Sequence, residues 1–132
     1  MLHLHIHEDA QRDIDALWET NEDAAATIIT TLEEIQANPD TLDILTIHKF
    51  GNDRNVDEIS ISKWQQLWRQ GKDLWRLKIW ELEHGQDRWR VIYAYIVHEQ
   101  AFYVLGVVPR SFNYDPDHIL SQRIIRAYND LS

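Results

Sequence analysis

The sequence predicts one α+β domain over residues 1–132. A helical hairpin near the N-terminus packs on a twisted, mostly antiparallel sheet of four to five strands, and a further helix closes the chain. Three observations predict it. Residues 10–37 carry two successive stretches of helical period, residues 74–108 carry three strand-like stretches separated by short turns, and a last helical stretch follows Asp115-Pro116. A chain of 132 residues that is 44% hydrophobic can build one core. Without cysteine, disulfide frameworks, thiolate nucleophiles and Cys-ligated zinc are excluded, and 4 Gly and 3 Pro exclude fibrous or low-complexity classes. No apolar run approaches the ~18 residues of a membrane span. The start, Met1-Leu2-His3-Leu4-His5-Ile6-His7, lacks the basic and apolar regions of a signal peptide, so a cytoplasmic protein with no membrane partner is expected.

Each element has its own signal. Leu2, Leu4 and Ile6 alternate with His3, His5 and His7, the period of a short strand. Ala10, Ile14, Leu17 and Trp18 form one helical stripe. Asn21 can cap a second helix, through Ala25, Ile28, Ile29, Leu32 and Ile35, which Asn38-Pro39 stops. Residues Leu42 to Phe50 fit strand or helix, and Gly51-Asn52-Asp53-Arg54-Asn55 reads as a loop before a weak strand near Ile59 and Ile61. Strands are expected over Leu74–Leu82, Arg88–Val97 and Ala101–Val108, joined by turns at Glu83-His84-Gly85-Gln86-Asp87 and His98-Glu99-Gln100. Asp115 as cap and Pro116 at the first helical position then open a helix through Ile119, Leu120, Ile124, Ala127, Tyr128 and Leu131.

The net charge of −9 conceals a split: residues 1–60 hold 14 acids and 3 bases, residues 61–132 hold 8 acids and 10 bases. A slightly basic second half beside an acidic first half hints at a surface facing a polyanion. Strand alternation locates that surface. Leu74, Arg76, Lys78 and Trp80 share one side, opposite Trp75, Leu77 and Ile79. In the next strand Arg88, Arg90, Ile92 and Ala94 share a side, and a turn centred on His84 sets Arg90 opposite Lys78. Paired cations repel unless an anion or a carboxylate neutralises them. On the third strand Val104, Gly106 and Val108 step by two to Arg110, which Pro109 directs into a loop holding Phe112 and Tyr114. Arginines interleaved with aromatics suit single-stranded RNA, whose phosphates take guanidinium groups and whose bases stack on rings.

These residues carry a resemblance. The runs Leu74-Trp75-Arg76-Leu77-Lys78-Ile79, Arg88-Trp89-Arg90-Val91-Ile92-Tyr93 and Tyr103-Val104-Leu105-Gly106-Val107-Val108-Pro109-Arg110, with Tyr114, a terminal helix and the preceding hairpin, resemble the RelE/ParE superfamily of bacterial toxins over most of the chain. The resemblance implies the toxin of a type II toxin-antitoxin system, inhibited by a cognate antitoxin, in a homodimer or a toxin-antitoxin hetero-oligomer. Its RelE-like branch implies a metal-independent endoribonuclease, needing no cofactor, that cuts mRNA on the ribosome and so inhibits translation. The catalytic positions it implies are Arg76, Lys78, Arg90, Arg110 and Tyr114, with Arg88 and Phe112 as substrate-binding residues. Arg76, Arg90 and Arg110 would supply charge at the transition state, while Lys78, its pKa lowered by neighbouring arginines, would serve as base beside Tyr114. A ParE-like inhibitor of DNA gyrase, and a non-toxic binding homologue, are the alternatives.

Other groups are weighed beside it. His3, His5 and His7 project from one side of a strand, successive ones ~6.7 Å apart, a spacing at which three on one ion are strained, so a solvent-facing or partner-facing ladder and no metal site is expected. Trp64 and Trp68, four residues apart, are expected to dock a partner peptide or a second subunit.

Overall fold

The computed structural model describes residues 1–84, 88–112 and 114–131. The chain runs β1 (His3–Ile6), α1 (Glu8–Thr20), α2 (Glu22–Ala37), α3 (Pro39–Ile44), β2 (Ile59–Lys63), α4 (Gln65–Trp68), β3 (Leu74–Ile79), β4 (Trp89–Ile96), β5 (Ala101–Pro109) and α5 (Ile119–Asp130). One five-stranded sheet has the order β1-β5-β4-β3-β2. β1 lies parallel to β5 and every other pair is antiparallel. The α+β architecture is the expected one.

The helices begin where side chains satisfy their free backbone donors. His7 Nδ1 accepts the Asp9 N–H at 3.1 Å and Asn21 Oδ1 accepts that of Ala24 at 3.2 Å. Glu8 and Asp9, then Glu22 and Asp23, occupy first helical turns, where the helix dipole favours negative charge. Much of the acid in the N-terminal half is thereby placed on the hairpin. Asn38 ends α2 and at once caps α3, with Pro39 in its first turn, so the ambiguous stretch from Leu42 begins as helix and reaches the sheet only through a bridge between Phe50 and Ile61. Gly51 holds that approach open: at φ 78° a Cβ would lie 1.9 Å from the Ile59 carbonyl oxygen.

The two faces of the sheet bury different partners. Ile14, Leu17, Ile28, Leu32 and Ile35 of the hairpin cover Trp75, Leu77, Ile79, Val91 and Tyr93 on one face. On the other, Ile124 and Ala127 of α5, with Trp64, Leu67 and Phe112, cover Leu74, Ile92, Ala94, Leu105 and Val108. Trp64 is thus core and not the docking residue expected of it, while Trp68 is half-buried and packs edge-on against Trp75 at 5.4 Å.

Four local expectations are corrected. β5 does not alternate evenly, because a bulge between its pairings Ile92↔Gly106 and Tyr93↔Val104 leaves Leu105 extra and sends Val104 to the hairpin face. β3 ends at Ile79, where the chain coils into a 3-10 turn over Trp80–His84; the Trp80 N–H still bonds the Glu58 carbonyl, and its indole N–H bonds that of Gly51. The last helix begins at Ile119, capped by His118 Nδ1. The Asp115 and Pro116 carbonyls accept from the Ser121 hydroxyl and the Gln122 amide, which places both upstream of the helix. His7 stands outside β1 as a helix cap, leaving His3 and His5 stacked at 6.3 Å and His5 5.0 Å from Tyr103. The turn expected over 83–87 falls partly outside the described residues.

One carboxylate ties both layers to the sheet. β1 ends at Ile6, beyond which no described strand continues along that edge of β5, and there Asp13 Oδ2 of α1 accepts the Val107 N–H at 2.9 Å. Both Asp13 oxygens also take the Arg123 guanidinium of α5, at 2.9 and 2.6 Å. Gly106 admits this approach, since a Cβ there would meet Arg123 at 3.0 Å and Ile124 at 3.3 Å. Asp13→Ala should lower unfolding free energy by about 2–3 kcal/mol, and the double variant with Arg123→Ala should lose less than the two single losses added together. Urea unfolding measures both. Strict additivity would show that the pair is not coupled.

Candidate functional site

The candidate site is set by which part of the second face α5 leaves uncovered. Trp75, Leu77 and Ile79 are drawn into the hairpin core, so the pleat turns Arg76 and Lys78 to the opposite face. The register pairs Lys78 with Arg90 and Arg76 with Ile92, the opposition of cations expected from the strand pattern. Ser62 and Ser60 of β2 pair with Arg76 and Lys78.

The neutralising anion is within the chain. Both Arg90 nitrogens bind Glu83, Nη1 to Oε2 at 2.6 Å and Nη2 to Oε1 at 2.9 Å, with the two side chains 7% and 9% exposed. Arg90 is consequently a buried, paired cation. It acts on its neighbour: burial first, then the Arg90 charge, lowers the Lys78 pKa below its ordinary 10.5, with Arg76 and Arg110 adding and Glu83 opposing. The direction is the expected one, but desolvation exceeds the repulsion between like charges. The Lys78 ammonium also lies 4.5 Å from the centre of the Trp80 ring.

Arg110 follows the end of β5 and is exposed, while its backbone N–H extends the ladder by bonding the Arg88 carbonyl at 2.8 Å. Arg88 is half-buried beside it. Tyr114 approaches from the loop after β5 in a left-handed conformation, φ 60°, and its ring centre lies 5.3 Å from the Arg76 guanidinium carbon. Trp64 fixes this turn, packing edge-on against the Tyr114 ring at 5.3 Å and donating its indole N–H to the Tyr114 carbonyl. Burial raises the phenol pKa, and the charge and hydrogen bonding of the neighbouring Arg76 guanidinium oppose it. Phe112 cannot stack on a substrate base as expected. It is buried, with Trp64, Tyr114 and His118 against its ring at 5.7, 5.0 and 5.3 Å.

The structure therefore brings Arg76, Lys78, Arg90, Arg110 and Tyr114 to one corner of the sheet and removes Phe112 to the core. It adds Glu83, for which the sequence held a signal: opposed cations demanded a carboxylate, and the connection after β3 supplies Glu81 and Glu83. It also adds Lys63, Gln65 and Gln66, which border a cleft of about 230 Å³ shared with Trp64, Arg76 and Tyr114. Among the described residues no three His, Asp or Glu side chains are grouped to hold a metal ion, and no helix is long and apolar enough to cross a membrane.

Replacing Glu83 by Gln should strand Arg90 beside Lys78 and cost about 3 kcal/mol, part of which Lys78→Met should recover in the double variant. A loss below about 0.5 kcal/mol in urea unfolding would show that the pair does not hold this corner. Lys78 should lose its proton below the ordinary lysine value of 10.5. Between its lowered folded value and 10.5 the unfolded chain binds the extra proton, so stability rises with pH across that window. NMR titration of methyl-labelled lysines measures it, and a Lys78 resonance that titrates at or above 10.5 would contradict it.

Comparison with family models, with curated proteins and with solved structures returns no match to this chain.

Proposed function

We propose that the protein is the toxin of a type II toxin-antitoxin system and acts as a RelE-like endoribonuclease on mRNA, held inactive by a cognate antitoxin. The observation that carries this reading is the convergence of Arg76, Lys78, Arg110 and Tyr114 on the uncovered corner of the sheet, with Arg90 opposite Lys78 on the neighbouring strand. Cleavage is attack of a ribose 2′-oxygen on the adjacent phosphorus, which forms a cyclic phosphate and breaks the bond to the 5′-oxygen of the next nucleotide, which leaves as an alcohol on taking a proton from solvent water. Lys78, its amine form favoured by burial and by Arg90, takes the 2′ proton. Arg76 and Arg110 face the extra negative charge of the pentacoordinate transition state, the largest contribution such a site makes. Tyr114, un-ionised, holds the Arg76 guanidinium against its ring.

Arg90 contributes through Lys78, since Glu83 occupies its nitrogens. The same pairing favours a second reading, a protein-binding inhibitor of the ParE kind, because it takes one positive charge out of the constellation. Expression of the gene alone should arrest growth, and co-expression of its antitoxin should relieve the arrest. Primer extension on cellular mRNA should then reveal new 5′ ends within coding sequence. Arg76→Ala and Arg110→Ala should each lower cleavage by about 10²-fold with the circular-dichroism spectrum retained. Growth arrest with intact mRNA and broken DNA would support the ParE-like reading instead.

A further inference from the structure

The cleft between the end of β2, α4 and the loop after β5 holds two cations, Lys63 and Arg76, and two side-chain amides, Gln65 and Gln66, and among the described residues none of its lining is acidic. Its donors are fixed from behind. The Lys63 ammonium rests over Trp68, 4.3 Å from the ring centre, and the Lys63 backbone N–H donates to His48 Nδ1 at 3.0 Å. With Nδ1 accepting, neutral His48 carries its proton on Nε2, 3.3 Å from the Gln65 amide. The Gln65 group at that distance is its amide nitrogen, which cannot accept the proton; turning the amide by 180° sets its oxygen there and directs the NH2 away from the ring as a donor. Burial, then the charges of Lys63, Lys49 and Arg76, lower the His48 pKa and keep this arrangement in place at neutral pH.

Such a cleft selects acceptors on a flat ring. A lone phosphate would use the cations and leave the amide and the Arg76–Tyr114 wall idle, whereas an unpaired base stacks on a guanidinium or aromatic face and offers its edge to the donors. Guanine, with O6 and N7, and uracil, with its carbonyl oxygens, present acceptors, while adenine and cytosine place an amino group where the cleft already has donors.

We propose that this cleft binds a single unpaired keto base, guanine or uracil, of a bound RNA, with Lys63 and Gln65 as specificity-determining residues. The proposal rests on the RNA reading above and deepens it by naming the base.

The test titrates the full chain with fluorescently labelled RNA pentamers, uniform in U, A or C, and with an A-pentamer carrying one central G, reading anisotropy at fixed salt. The U-pentamer and the G-containing pentamer should bind about tenfold tighter than the A- and C-pentamers. Gln65→Ala and Lys63→Met should each erase that difference. Gln65→Ala should change the affinity for the A-pentamer by less than about twofold, because its phosphate contacts lie elsewhere on the face. Equal affinity for all pentamers, a preference surviving both substitutions, or inorganic phosphate displacing the U- and A-pentamers equally well would overturn the base site and leave the RNA reading standing. Binding of no pentamer at all would overturn the RNA reading and this proposal with it.

Discussion

The two-residue repeat of β3 and β4 constrains everything else in this molecule. Because Trp75, Leu77, Ile79, Val91 and Tyr93 must reach the helical hairpin, Arg76, Lys78 and Arg90 have no choice of face. That face is also buried where α5 lies across it. The cations are therefore confined to the corner that α5 does not reach, and Tyr114 and Arg110 join them because the loop after β5 must pass that corner to start α5. The position of the charge follows from the core and does not compete with it.

Such confinement requires compensation. Lys78 and Arg90 sit opposite each other on neighbouring strands, and Glu83, bidentate on Arg90, is what makes the pair tolerable. The compensation is incomplete by one charge, and the uncompensated charge is on Lys78, the group with both a lowered pKa and a ring beneath it. A structural ion pair and a perturbed amine are here two results of one register. Net charge therefore says little about this surface: the acids of the N-terminal half lie largely on helices of the hairpin, across the sheet from the cluster.

What could be seen in the sequence was whatever depends on period. The hairpin, the three central strands, the opposition of Lys78 and Arg90 and the cap at Asn21 all follow from spacing alone. What could not be seen depends on contacts between distant residues. Leu105 reads as an ordinary strand residue, and only the packing of α5 against Gly106 accompanies a bulge there. Phe112 looks like a loop aromatic free to stack, but Trp64, 48 positions earlier, claims its ring. Asp115-Pro116 has the chemistry of a helix start, yet Ser121 and Gln122 satisfy its carbonyls from the side and His118 provides the cap. Lys63, Gln65 and Gln66 were invisible as a set because the cleft exists only once Tyr114 is folded against Arg76.

The parallel pairing of β1 with β5 sets an order of assembly. β2 through β5 are joined by antiparallel connections between neighbours in sequence, so their contacts can form as each strand becomes available. β1 must wait: His3 pairs with Ala101 and Ile6 with Val104, so the first strand of the chain has no partner until the last one exists. Asp13 waits with it, since Val107 and Arg123 both lie in the final third of the sequence. During synthesis the hairpin α1–α2 is therefore complete before it can be fastened to the edge of the sheet. Slow folding steps should belong to this closure.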